Sequence, residues 1–237
     1  MIRFENVSKR FGGVSALSDV TFEVKDGEFV FLIGPSGAGK TTLLRLLIRD
    51  IVPTKGKVHV GQWEINVLPA SKVHLLRRHV GVVFQDFKLL TDRTVYENIA
   101  IGLEIFGKPS QDVKKRVTEV AELVGLVDKQ NLFPLQLSAG EMQRTSIARA
   151  LVGGPKVLLA DEPTGNLDPE TAWEILKLFG EANSQGTMVI MATHNAGIVD
   201  TLHKRVIALD RGSVVRDEEK GSYKPTSAKT KKNHGNR

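Results

Sequence analysis

The sequence predicts an α/β fold: a mostly parallel, buried sheet flanked by helices, with an antiparallel β layer at the N-terminus and an inserted helical subdomain. Three observations lead there. Runs rich in Val, Ile and Leu alternate with segments of helical periodicity, the pattern of strands covered on both faces. The first strands are short and joined by turns such as Lys25-Asp26-Gly27, which suits an antiparallel layer. Between 88 and 152 helical periodicity continues with no convincing strand.

In chain order, alternating apolar residues mark strands near 2–7, 19–25 and 57–60, and a continuous run, Phe29-Val30-Phe31-Leu32-Ile33, marks a buried strand near 28–33. Further apolar runs place strands near 80–84, 156–161, 187–193, 205–210 and 213–216. Helical spacing covers 39–49, 71–79, 94–106, 111–124, 138–152, 169–183 and 195–202. The expected organisation is an α/β core from 1–87 and 153–216, a helical subdomain from 88–152, and a basic tail from 217–237. That tail holds six Lys and Arg against Asp217, Glu218 and Glu219, half of the net charge of +6, and has too few apolar groups to pack. It is therefore expected to be disordered, as a solubilising end or an interaction tail.

Composition narrows the function classes. Hydrophobic residues make up 41% of the 237 and charged residues 25%, ordinary for a globular protein of one domain. With no Cys, disulfides and thiolate metal sites are excluded. The N-terminus Met1-Ile2-Arg3-Phe4-Glu5 lacks the apolar run of a secretory signal, and no stretch approaches the roughly 18–20 apolar residues of a membrane span. A role at a membrane must go through a partner.

The chemistry concentrates in a few segments. Gly34-Pro35-Ser36-Gly37-Ala38-Gly39-Lys40-Thr41 follows the buried strand at once, and Thr42 leads into a helix. This is G-x-x-x-x-G-K-[ST] between strand and helix, the phosphate loop of a P-loop NTPase core of the RecA-like kind. Its glycines let backbone N–H groups converge on phosphate oxygens at a helix N-terminus. Lys40 is expected at the β- and γ-phosphates and the Thr41 hydroxyl on Mg²⁺, so ATP and Mg²⁺ are the expected ligands. Val157-Leu158-Leu159-Ala160 ends in Asp161 and Glu162, and charges seldom close a buried strand without a partner. Asp161 is placed to hold the metal, and Glu162 to polarise the attacking water. A second apolar strand ends in His194, on the ligand-binding edge of such a sheet. There His194 either bonds the γ-phosphate and orients the water or is a satisfied structural histidine. Leu137-Ser138-Ala139-Gly140-Glu141 opens a helix with an S-x-x-E capping box, and a capped N-terminus with small residues is also an anion site.

The order phosphate loop, Gln85, Leu137-Ser138-Ala139-Gly140-Glu141, Asp161-Glu162, Asn166-Leu167-Asp168 and His194 resembles the ABC-type ATPases over about residues 1–216. The resemblance implies a homodimer in which two subunits face head to tail, with ATP sandwiched between one phosphate loop and the other subunit's signature helix. Ser138 and Gly140 would then touch the γ-phosphate in trans, Gln85 would sit near Mg²⁺ and the water, and Asp168 would couple the two sites. Phe11 matches the aromatic that stacks on adenine, or is a plain core aromatic. Two positions depart from the family's pattern, where Gly-Gly-Gln is usual: the Ala139 methyl would crowd the opposed nucleotide, and Glu141 puts negative charge near a phosphate unless capping turns it inward. Within the family, the segment Phe84 to Leu90 and Thr94 to Asn98 resembles the cell-division branch, with similar segments in the lipoprotein-release and macrolide-export branches. That implies a cytoplasmic protein, peripheral on the inner face of the cell membrane, held by an integral membrane partner whose cytoplasmic helix docks beside residues 85–98. An ABC protein of translation or repair would carry two cassettes or a long coiled-coil insert, and no aromatic-interleaved surface for sequence-specific nucleic acid accompanies the basic tail. An ATP-gated scaffold with little hydrolysis is the remaining alternative.

Overall fold

The computed structural model describes residues 1–224. The chain forms two sheets. β1 (Ile2–Phe11), β2 (Val14–Val24), β4 (Lys55–Val60) and β5 (Trp63–Glu64) make an antiparallel layer in the order β2-β1-β4-β5. β3 (Phe29–Ile33), β6 (Val80–Val83), β7 (Val157–Asp161), β8 (Met188–Ala192), β9 (Arg205–Asp210) and β10 (Ser213–Glu218) make the second, in the order β10-β9-β3-β8-β7-β6. Only the β9–β10 pair in it is antiparallel.

Alternation explains both sheets. In β1 and β2 the residues Phe4 and Phe22 sit directly opposite each other and stack with centroids 4.6 Å apart. The five buried residues of β3 divide by face: Phe29, Phe31 and Ile33 enter one core, Val30 and Leu32 the other. One core lies between the large sheet and the antiparallel layer, with α1 (Lys40–Leu47). The other joins the sheet to α3 (Val95–Glu104), α4 (Ser110–Leu123), α5 (Ala139–Leu151), α6 (Pro169–Ser184) and α7 (Ala196–Leu202). A short α2 (Val73–Arg77) precedes β6. The inserted helices thus share a core with the sheet through Val95, Ile99, Val117 and Ile147. No helix among the described residues is long and apolar enough to cross a membrane.

Three local expectations need correction. β2 begins at Val14, and the hairpin closes at Gly12-Gly13, where Gly12 has φ 55°. The Lys25-Asp26-Gly27 turn instead carries the chain from one sheet to the other. The chain after Arg216 is not disordered from residue 217: β10 runs to Glu218, and Arg216 donates to the carbonyls of Ser222 (2.7 Å) and Tyr223 (2.9 Å). Tyr223 packs against the core, and its N–H donates to Asp200. A composition argument weighs apolar content and misses backbone carbonyls clamped by one guanidinium. The remainder of the expected tail, 225–237, lies outside the described residues.

The loop between β6 and α3 is fixed by Asn98, which is wholly buried. Its amide donates to the carbonyls of Leu90 (3.0 Å), Arg93 (3.1 Å) and Thr94 (2.9 Å), and its oxygen accepts from Leu90 N (2.8 Å). Asn98→Ala strands these groups away from water and is expected to cost about 2–4 kcal/mol, read as a lower urea midpoint. An unchanged midpoint would mean that the loop is held by its neighbours.

Candidate active site

The phosphate loop is built by steric necessity as much as by charge. Gly39 takes the N-cap position of α1 with φ 106°, and a Cβ there would lie 2.7 Å from Leu17 Cδ2 and 2.8 Å from the Ala16 carbonyl. No side chain caps this helix, and its first turn holds no acid. The first-turn N–H groups are thereby left for an anion. Lys40 is almost buried, and its Nζ donates to the carbonyls of Gly34 (2.7 Å) and Pro35 (3.2 Å). The folded loop thus holds the ammonium in place before any phosphate arrives.

Above the loop opens a cavity of about 670 Å³. Ser36, Gly37, Ala38, Gly39, Lys40, Thr41 and Thr42 line it together with Gln85, Asp161, Glu162 and His194. Asp161 ends β7. Burial raises its carboxyl above the ordinary range, the Thr41 hydrogen bond and the Lys40 charge pull it down, and the Glu162 charge adds to the rise. A desolvated carboxylate bonded to a hydroxyl is an oxygen donor pair suited to a hard divalent cation that keeps most of its waters. Glu162 turns the chain with φ 51°, the left-handed region that a Glu seldom occupies and that clusters at functional sites. Its Oε2 accepts from the His194 backbone N–H (3.2 Å) and lies 2.7 Å from His194 Nδ1. The imidazole is exposed, and if Nδ1 carries the proton to this contact, Nε2 is left as the acceptor nitrogen. Asn166 donates to the Gln85 carbonyl at 3.2 Å, tying the loop after Glu162 to the loop after β6.

The signature residues stand elsewhere. Ser138, Ala139, Gly140 and Glu141 line a separate groove together with Arg144, Asn166, Leu167, Asp168 and Thr171. Both halves of the capping box form: Ser138 Oγ accepts from Glu141 N (3.3 Å), and Ser138 N donates to Glu141 Oε2 (2.8 Å). Lys129 Nζ lies 2.7 Å from Glu141 Oε1, and chiefly this contact holds the Glu141 carboxyl below its usual range. The charge that would repel an opposed phosphate is therefore turned aside and paired. Ala139 is the first helical residue, where alanine suits the backbone. At Gly140 a Cβ would fall 2.7 Å from the Thr171 Cγ2 methyl, so a larger residue there would require the Thr171 side chain to shift. Asp168 caps α6, accepting from Thr171 N at 3.0 Å.

Lys40, Thr41, Gln85, Asp161, Glu162 and His194 thus surround one cavity, while Ser138, Gly140 and Asp168 share another. Phe11 lines neither; it is 43% exposed, with Lys9 Nζ 5.0 Å from its ring centroid, so the reading as a core aromatic does not hold. Ala16, from the same hairpin, does line the phosphate cavity and carried no sequence signal. Nor did Lys129, whose partner Glu141 is close only in the fold.

A glycine loop between buried strand and helix, with a hydroxyl and a strand-end carboxylate beside its lysine, defines a P-loop nucleoside triphosphatase. The profile of the family described as ABC transporter matches residues 17–165. The chain belongs to that family and is an ABC-type ATPase. It is 52% identical over 224 residues to the cell division ATP-binding protein FtsE of Streptococcus pneumoniae serotype 2, covering 94% of this chain and 97% of that one. Identity to the FtsE of Bacillus subtilis is 49% over 224 residues, with coverage of 94% and 98%. Among solved structures, the ATP-binding cassette MJ0796, a dimer in a post-hydrolysis state bound to ADP and Pi, superposes with a TM-score of 0.85 at 35% identity, over 94% of this chain and all of that one.

Proposed function

We propose that the chain hydrolyses Mg-ATP at composite sites in a head-to-tail dimer, and that it does so as the ATPase subunit of a membrane complex in cell division. The observation that carries the composite site is the separation just described: the cavity with the phosphate loop lacks Ser138 and Gly140, which line their own groove. A second copy would bring that groove over the first copy's nucleotide. In this reading the loop amides and Lys40 bind the phosphates, and Ser138 and Gly140 of the other copy close over them. Thr41 and Asp161 would hold Mg²⁺, with Gln85 beside it, and the ion when bound neutralises charge on the phosphates. Glu162 takes a proton from water as the water attacks the γ-phosphorus, and the bond to the β-phosphate oxygen breaks to leave ADP. His194 contacts the Glu162 carboxylate through Nδ1 and the backbone N–H, and in this reading its Nε2 would be left for the γ-phosphate.

The cell-division role is supported by relatives named FtsE that are about half identical over nearly the whole length, which favours it over lipoprotein release or macrolide export. The partner would be an integral membrane protein resembling FtsX, making this chain peripheral on the inner face of the membrane. Phe87 and Leu89 are half-buried and Leu90 exposed, a small apolar patch beside Gln85 that fits an amphipathic helix. Phe87→Ser is expected to move the protein from the membrane fraction to the soluble one while ATP affinity stays within about twofold. Because Lys and Arg near an anionic bilayer add about 1 kcal/mol each, the fractionation is repeated on a chain cut after Lys224, which leaves the clamped segment intact. Membrane association that survives both changes would exclude this surface as the main attachment.

A further inference from the structure

The helix α5 carries the signature residues at its start and a fully buried amide just over one turn further on. Gln143 has no exposed surface. Its Nε2 donates to the Pro163 carbonyl at 2.6 Å, and its Oε1 has no partner among the described residues. Thr145, also buried, is satisfied within the helix, donating to the Glu141 carbonyl at 2.8 Å. A half-paired amide in the interior is less stable there than an apolar side chain of the same size, so packing alone does not explain Gln143. The carbonyl that it reaches gives the reason.

Pro163 follows Glu162 directly. The proline ring is bonded to the Glu162 carbonyl carbon and fixes its own φ, so the peptide units on its two sides move together. Glu162 needs such a hold. It sits at φ 51°, whereas a residue before proline is pushed toward extended backbone. Glu162 N–H donates to the Ala192 carbonyl (2.9 Å), Gly165 N–H to the Glu162 carbonyl (3.1 Å), and His194 N–H to Glu162 Oε2 (3.2 Å). Those three bonds come from the sheet edge and from the turn itself. The bond from Gln143 comes from the signature helix.

We infer that Gln143 positions Glu162, and that it relays to Glu162 whether the signature groove of its own chain is filled. Ser138 and Gly140, which begin the same helix, line the groove that a second copy's nucleotide would enter. A phosphate seated on that helix N-terminus would set α5, and the Pro163 carbonyl would follow through the Gln143 bond. Each chain's Glu162 is then aligned for its own ATP when the other site is occupied. This rests on the reading of hydrolysis at composite sites with Glu162 as the base.

Gln143→Met keeps the length of the side chain and removes the donor. It is expected to lower kcat at least about tenfold, as a displaced base does, with KM and the calorimetric affinity for ATP within about twofold. ATP-dependent association of fluorescently labelled subunits, which reads the groove, is expected to stay within about twofold as well. If Gln143→Met does not fold, Gln143→Asn, whose amide falls one methylene short of Pro163, is expected to show the same split with kcat down at least about threefold. The relay is read by adding Ser138→Ala. Because the two residues act along one path, the double variant is expected to lose at least about threefold less kcat than the product of the two single losses. Native turnover in Gln143→Met, association lost together with turnover, or losses that multiply in the double variant overturn the inference. The second of these would mean that Gln143 only supports the signature helix. The proposed function is judged separately, with Gln143 intact: a wild-type chain that does not associate on ATP, or native turnover in Glu162→Gln, removes it.

Discussion

Replacement of Glu162 by Gln is expected to slow ATP hydrolysis by about 10²-fold or more, the scale of a lost general base, with ATP affinity essentially unchanged. The amide keeps the size of the side chain and an oxygen for the His194 N–H, now 3.2 Å from Oε2, so the strained φ of 51° at this residue is not further disturbed. What it loses is a group able to take the proton of the attacking water. Because the dimer is expected to open only after hydrolysis, the variant should accumulate as an ATP-bound dimer in size-exclusion chromatography, where the native chain returns to monomer. Single-turnover phosphate release gives the rate directly. Turnover at the native rate would remove Glu162 from the proposed role.

Lys40→Ala is expected to have the second large effect, on binding. The buried ammonium rests on the carbonyls of Gly34 and Pro35, and Lys40 is the one Lys or Arg among the residues lining the phosphate cavity. Losing two charge-assisted hydrogen bonds to the phosphates, about 1.5–3 kcal/mol each, weakens ATP by about 10²-fold or more and takes it out of the working range. Calorimetric titration of the variant measures this. Near-native affinity would contradict the assignment of the loop.

Much of the fold and of the site was legible because the information is local. A buried strand, a glycine loop and a helix start are contiguous at 29–47, and so are the strand and carboxylates at 157–162. The capping box at Ser138–Glu141 is local too, and it forms. What could not be read depends on residues that meet only in the fold. Glu141 was expected to threaten an opposed phosphate, and its neutralising partner Lys129 lies on the far side of an irregular loop. Arg149 falls in a helix whose sequence suggests nothing of the turn at Phe87, yet it fixes that turn. Two-residue β5 is too short for periodicity to register, and the strand start at Val14 was hidden because Val14 and Ser15 are exposed and break the alternation. The segment 219–224 lacks apolar residues other than Tyr223, so only the Arg216 and Asp200 hydrogen bonds reveal its order.

The central claim is that each ATP site is shared by two copies of the chain, and mixing two damaged subunits tests it most directly. Ser138→Arg subunits keep an intact phosphate cavity and lose the signature groove; Lys40→Ala subunits keep the groove and lose the cavity. A heterodimer of the two has one composite site with both halves intact and one with both halves damaged. ATP-dependent association, followed by fluorescence transfer between differently labelled subunits, is therefore expected in the mixture and absent from either variant alone. A mixture that shows no association, with both variants folded by circular dichroism, would mean that the site is built within one subunit.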